Sequence, residues 1–251
     1  MALVSDLVAA IAEVEGMPEA TVALIARYAR EAGFLSQGAR GRNAPHATIA
    51  DCANLLIAVN ASGCVVKDAP KAIENYRRLV IHAPHGTRSV RADKTIYSSI
   101  DHDALRFLER REATFGEVLE SIVERFVGGE LETFMNDQAL QYLTEEYLKK
   151  VVDESAGDMK AAAERIREQN ESSLRLGIVR FELLFRRPNP FVKLDVVREN
   201  GGETESLAGA GFMVTVKDLE SKRIVKGNSD RHDTTVIGYR TFMKIAEVMR
   251  K

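Results

Sequence analysis

The chain has 251 residues, of which 45% are apolar, with a formal net charge of −2, two cysteines and no tryptophan. That length holds one large domain or two to three small ones with a proper core, and the charge excludes a polycation, so nucleic-acid affinity must come from local patches. No apolar run can cross a membrane, no signal-peptide pattern opens the chain, and Cys52 and Cys64 lack CxxC spacing, so the expectation is a cytoplasmic protein with no membrane contact, disulfide framework, structural zinc or base-stacking platform.

Leu7, Val8 and Ile11 mark a first amphipathic helix. Gly16 and Pro18 punctuate the entry to a second, since proline suits a first helical turn. Val22, Ile25, Ala26 and Ala29 recur at helical spacing, and Gly33 stands where a C-terminal cap belongs. Phe34 and Leu35 read as a buried pair. Residues 37–43 (QGARGRN) form a glycine-rich loop, and residues 36–46 hold Arg40, Arg42 and His46 against no acid. Thr48 is placed to cap a third helix whose inner face is Ile49, Cys52, Ala53, Leu56 and Val59. Cys52 is then a small core residue.

Helix, turn, helix, basic loop, helix is the layout of a helix-turn-helix with a short wing. The phrase TVALIARYAREAGFL, followed by a basic loop, resembles the second helix and wing of winged helix-turn-helix regulators. These carry Thr-Val near the start of that helix and Gly-(Phe/Leu)-Leu at its end. The N-terminal block is also similar to helix-turn-helix proteins of bacterial prophages. The resemblance covers the first quarter of the chain and implies binding to double-stranded DNA. It places Glu19, Ala20, Thr21 and Ala23 near the bases, with Arg27, Arg30, Arg40 and Arg42 on the backbone. Gln37, Asn43 and His46 complete the DNA-binding set. The bland alternative is a structural helical subdomain. Positive charge is modest for a monomer that binds DNA, so a homodimer or higher homo-oligomer is expected.

Residues 63–111 form a basic connector after the head at 1–62. Residues 71–81 read as a short helix with Ile73, Tyr76, Leu79 and Val80 inward and Arg77 and Arg78 outward. Residues 82–94 read as a loop. From Lys67 to Arg111 there are ten bases and six acids, which offers a second phosphate-contacting segment or an ordinary solvated linker. His82, His85 and His102 show no helical pair and no thiol, so no metal is implied.

Residues 112–251 are expected to form an α+β oligomerisation or effector domain. Leu119, Ile122, Val123 and Phe126 keep helical spacing until Gly128-Gly129 stops the run. Asp137 is placed to cap a second helix with Leu140, Leu143, Tyr147 and Val151 on one face. Residues 158–172 read as a third, polar helix. Glu112 to Glu171 holds fifteen acids against six bases, a solvated face or one that keeps DNA to the opposite side. Val179, Phe181, Leu183 and Phe185 alternate at period two. Residues 187–190 (RPNP) force a tight connection, and residues 191–197 return. A turn at 200–202 leads into a loop through Ser206. Short strands follow at 210–217 and 234–237. The tail, 239–250, is a helix with Phe242, Ile245, Ala246 and Met249 inward. The fold class is α+β: an N-terminal helix-turn-helix with wing, a central helical section, and a small antiparallel sheet with a terminal helix.

No phosphate loop, dinucleotide fingerprint, nucleophile elbow or HExxH motif is present, so neither an enzyme nor a cofactor is implied. His232, oriented by Asp233, lacks a nucleophile. Arg186, Arg187 and Arg231 offer an anion site or a charged strand edge. The preferred reading is a sequence-specific DNA-binding protein, a bacterial or prophage transcriptional regulator. Alternatives are a DNA-packaging adaptor similar to small phage terminase subunits, and a small-molecule-binding α+β protein or enzyme.

Overall fold

Asp6 accepts the Leu3 amide at 2.8 Å and so starts helix α1 (Val4–Glu15). Gly16 ends it in the left-handed conformation at φ 64°, which only glycine adopts without cost. The Pro18 carbonyl takes the Thr21 and Val22 amides at the start of α2 (Glu19–Glu31). Gly33, at φ 84°, lets the Phe34 amide return to the Ala29 carbonyl at 2.9 Å, so the expected cap closes the helix. Thr48 caps α3 (Ile49–Ala61) by accepting the Asp51 amide at 3.1 Å. A 3-10 turn at Val66–Asp68 leads to α4 (Ala69–Arg77). The computed structural model describes residues 2–38, 46–63, 65–86, 88–91, 94–97, 99–100, 102–110, 112–140, 145–155, 158–175, 179–200, 203–214 and 233–251.

The fold is α+β. Strands β1 (Val80–His85), β2 (Arg88–Arg91) and β3 (Lys94–Tyr97) precede a 3-10 segment at Asp103–Glu109. Helices α5 (Phe115–Val127), α6 (Glu130–Leu140), α7 (Glu145–Glu154) and α8 (Met159–Arg175) follow. Then come β4 (Val179–Arg187), β5 (Phe191–Asn200), β6 (Glu203–Met213), β7 (Asp233–Gly238) and α9 (Tyr239–Met249).

The described strands pair antiparallel in the order β3-β2-β6-β5-β4-β7. β1 also lies on β6, from Val80 opposite Met213 to His85 opposite Gly209, and β2 continues along the same edge with Arg88 opposite Ser206. Residues 82–94, expected as a loop, therefore supply most of β1, all of β2 and the first residue of β3, and the expected loop through Ser206 is the start of β6. The partner of β1 lies more than a hundred residues downstream, so no local pattern announces the pairing. The period-two alternation of β4 is as expected, with Val179, Phe181, Leu183 and Phe185 buried.

Helices α3, α5 and α9 cover one face of the sheet. The Phe126 ring of α5 stacks on Phe242 of α9 with centroids 5.1 Å apart, and Phe181 of β4 meets both edge-on. Phe115 packs between Phe185 and Phe212. α3 departs from the amphipathic expectation: Leu55, Ile57 and Ala58 are as fully buried as Cys52, Ala53 and Leu56. A helix apolar all round is a core helix, and α3 packs against α2, α4, α5, β4 and β7. Burial pushes the Cys52 thiol up to about 12.

One cluster of buried side chains runs from Val4 to Ala246 and draws on all three expected segments, 1–62, 63–111 and 112–251. Gly128 and Gly129 form only a short turn, because α6 begins at Glu130 rather than near Asp137. Residues 141–144 lie outside the described residues. Among the described residues, no helix is long and apolar enough to cross a membrane.

Candidate nucleic-acid interface

α2 divides cleanly. Val22, Ile25, Ala26 and Ala29 are buried against its neighbours. Glu19, Ala20, Ala23, Arg27 and Arg30 are exposed on the other side, Thr21 is half-exposed, and Leu24 is exposed among them. Small side chains at 20 and 23 let a partner approach the helix closely. Arg27 pairs with Glu31 at 2.7 Å, and both are well exposed. A pair of this kind is screened by solvent, contributes little and exchanges its partner readily. With Glu19 and Glu31 beside Arg27 and Arg30, the exposed face has no charge excess. By itself this face offers phosphate no net attraction.

Arg40, Arg42 and Asn43 of that loop lie outside the described residues. Both ends of the loop are described, and one carboxylate holds them. Asp51 is only 2% exposed. Its Oδ1 accepts the Ser36 amide at 2.7 Å, and its Oδ2 accepts the Ser36 hydroxyl at 2.7 Å. Oδ2 also accepts the Thr48 amide and the Thr48 hydroxyl, each at 2.8 Å. A buried carboxylate requires such a set of donors. Gln37, exposed, donates to the Arg30 carbonyl at 3.0 Å and so ties the loop to the last turn of α2. At the far end, His46 is exposed and forms an isolated antiparallel bridge with Leu3, while the Ala47 amide donates to the Ala2 carbonyl. Of the residue set expected at the interface, Glu19, Ala20, Ala23, Arg27, Arg30, Gln37 and His46 are exposed and Thr21 is half-exposed.

Behind Asp51 stands a second polar chain. Asn54 donates to the Phe34 carbonyl at 2.6 Å and accepts from Arg77 at 2.7 Å. Arg77 also donates to Glu120 at 2.5 Å. Arg77 was expected to point outward; it instead ties α4 to α3 and α5. It fits because Gly116 has no side chain: a Cβ there would lie 2.9 Å from the Arg77 Nε. Sequence reasoning missed Ser36, Asn54 and Glu120, which are brought together only by non-local packing. For Asp51 a local signal existed, since Thr48 with an acid three residues on has the spacing of a capping box.

Elsewhere the expected chemistry disperses. His82 is exposed, and His102 lies edge-on to Phe134 at 5.0 Å. Among the described residues no group of three or more His, Cys, Asp or Glu side chains could hold a metal. Cys64 and residues 230–232, including Arg231 and His232, lie outside the described residues. Arg186 sits 5.1 Å above the Phe191 ring, and its carbonyl accepts the Tyr76 hydroxyl at 2.6 Å. Burial raises the Tyr76 phenol above its ordinary range. Arg187 rests on Gly63 beside a cavity of about 390 Å³ that Lys71 and Asp233 also line. Arg186 and Arg187 are both half-buried at the β4 end, and Arg187 lines that cavity. No protein-family model matches the chain, and no curated protein or solved structure matches it either.

Proposed function

We propose that this chain is a sequence-specific DNA-binding protein, a bacterial or prophage transcriptional regulator that works as a cytoplasmic homo-oligomer. In this reading α2 enters a major groove with Glu19, Ala20, Thr21 and Ala23 toward the bases. Arg27, Arg30, Arg40 and Arg42 neutralise phosphates, and Gln37, Asn43 and His46 complete the contact surface. The observation that carries the reading is the Asp51 clip. It fastens both ends of an arginine-bearing loop beside the last turn of an exposed helix. Holding the ends of a loop lowers the ordering cost of using it on a partner.

The test is a selection of bound fragments from bacterial genomic DNA at near-physiological salt, followed by affinity measurements over a salt series. Recovery of a short recurring site is expected. Arg40→Ala with Arg42→Ala should weaken binding and flatten the slope of log K against log salt by about 2. Absence of enrichment over the double variant would refute the reading. A recovered site at a promoter supports regulation, whereas one at a phage packaging region moves the chain to the packaging role.

A further inference from the structure

β7 lies at one end of the sheet. Among the described residues it pairs with β4 alone, from Arg187 opposite Asp233 to Glu182 opposite Gly238, and its other edge carries no strand. Such an edge presents a row of backbone N–H and C=O groups that another strand can take up. Folded chains blunt their edges with a very short strand, lysine, proline or a bulge. The opposite end of the sheet follows that rule, since its last strand, β3, has four residues and begins with Lys94. β7 does not. Its six residues (DTTVIG) include no lysine, arginine or proline, and its register with β4 runs without a shift. Thr234, Thr235, Val236 and Ile237 are all β-branched, which suits a strand.

The two faces of β7 differ. Ile237, opposite Leu183, is buried on the helix-covered face, and Val236, opposite Leu184, belongs to the other face. Val236 is 51% exposed, the most of any large apolar side chain among the described residues, and Leu184 is half-buried. These two side chains form an apolar row that crosses β4 and β7 and stops at the free edge. A second copy, related by a two-fold axis normal to the sheet, continues it. Side chains directly opposite in an antiparallel pair lie on one face. An axis through Val236 therefore sets Val236 against Val236 of the copy, Thr235 against the copy's Ile237 and Thr234 against the copy's Gly238. The apolar row then runs Leu184, Val236, Val236, Leu184 across both chains. A foreign strand would have to bring its own apolar residue to that register, whereas the copy supplies it by symmetry. Asp233, the one charge on β7, falls outside the paired residues, so no like charges face each other.

We propose that β7 is a self-association edge, at which two copies of this chain join antiparallel through residues 234–238 with Val236 on the two-fold axis, making one sheet that runs through both. The inference rests on the homo-oligomer proposed above, and not on DNA binding. Five paired residues a side make a small interface, so the dimer is expected to dissociate on dilution.

Sedimentation velocity of the full chain from about 5 to about 500 µM tests it, since mass action makes a weak dimer depend on concentration. The average mass should rise from monomer toward dimer. Val236→Lys puts like charges on the axis at an exposed position and should stay monomeric throughout, with the parent's melting temperature. In a Cys64→Ser background, Val236→Cys should cross-link to its copy on mild oxidation, because directly opposite residues lie about 4.5–5.5 Å apart at Cα, within disulfide reach. Thr234→Cys, four positions out of register with its own copy, should not. A parent that stays monomeric over the whole range would overturn the proposal together with the homo-oligomer. A dimer that persists in Val236→Lys, or that cross-links through Thr234→Cys as readily as through Val236→Cys, would overturn the β7 edge and leave the homo-oligomer standing at another surface. The assay contains no DNA, so neither outcome bears on the DNA reading.

Discussion

Asp51 accepts four hydrogen bonds from two residues that lie fifteen and three positions away. Removing an acceptor of this kind leaves four part-buried hydrogen bonds unmade at once. Asp51→Ala should cost about 3 kcal/mol in urea denaturation, the scale expected for charge-assisted bonds in a buried site. A loss below about 1 kcal/mol would show that the ends of the loop are held by something else. Asp51→Asn keeps acceptor capacity and should fall between. Glu15 makes the opposite case. Burial raises its carboxyl pKa, and a hydrogen bond from Thr241 at 3.0 Å only partly opposes that. A carboxyl raised on folding favours the folded state while protonated, and that advantage is lost as the pH rises through the folded value. At neutral pH the charged Glu15 is therefore a cost. Glu15→Gln, which can still accept from Thr241, should melt higher than the parent at pH 7. The difference should vanish on acidification below the ordinary carboxyl value of 4.5. A variant that melts lower at pH 7 would mean that the Thr241 contact outweighs burial.

At the scale of elements, α3 is the axis about which the helices pack, and the polar chain through Asn54, Arg77 and Glu120 fixes its angle to α4 and α5. Gly116 on α5 is the position where this arrangement is most exposed to a single change. Alanine in a helix normally gains about 1 kcal/mol over glycine. Here the added Cβ would lie 2.9 Å from Nε, 3.0 Å from Cζ and 3.2 Å from Cβ of Arg77. The Arg77 Cβ is close to the backbone and cannot swing away as a side-chain tip can. Gly116→Ala should therefore destabilise, against its helix propensity, and the penalty should shrink in an Arg77→Ala background. A more stable Gly116→Ala protein would show that α4 and α5 shift apart without loss.

For the whole molecule, the question is whether the N-terminal helices form a separable head. The buried cluster shows no break at residue 62: α3 lies against α5, β4 and β7, and α1 lies along α9. Lys244 pairs with Glu13, and Thr241 donates to Glu15, across that same contact. Calorimetry should therefore give one cooperative unfolding transition, because the parts share a core. The fragment 63–251, which lacks α3, should fail to fold. A second transition, or a folded fragment, would establish an independent head. If the chain does bind DNA, it would do so as one rigid body whose reading helix is continuous with the sheet's cover.

Much of the local structure was legible in the sequence because its causes are local. Gly16 and Gly33 end helices through backbone freedom, Thr48 starts one through its hydroxyl, and Val179 to Phe185 alternate because a half-buried strand has period two. The exposed face of α2 follows from the spacing of Val22, Ile25, Ala26 and Ala29 on the opposite side. The helix Ile49–Ala61 was legible as a helix but was read with one inner face, and its burial on all sides came from the elements that surround it. Other features were decided only by the tertiary structure. β1, which contains His82, Pro84 and His85, and β2 became strands because β6 offered an edge to pair with. Asp51 is a helix-cap residue in sequence and a loop clip in space, since Ser36 reaches it only when α2 folds back on α3. The contact between α1 and α9 joins residues more than two hundred positions apart. Propensity and capping act over a few residues, whereas pairing, polar satisfaction and cavity shape depend on which surfaces the completed core brings together.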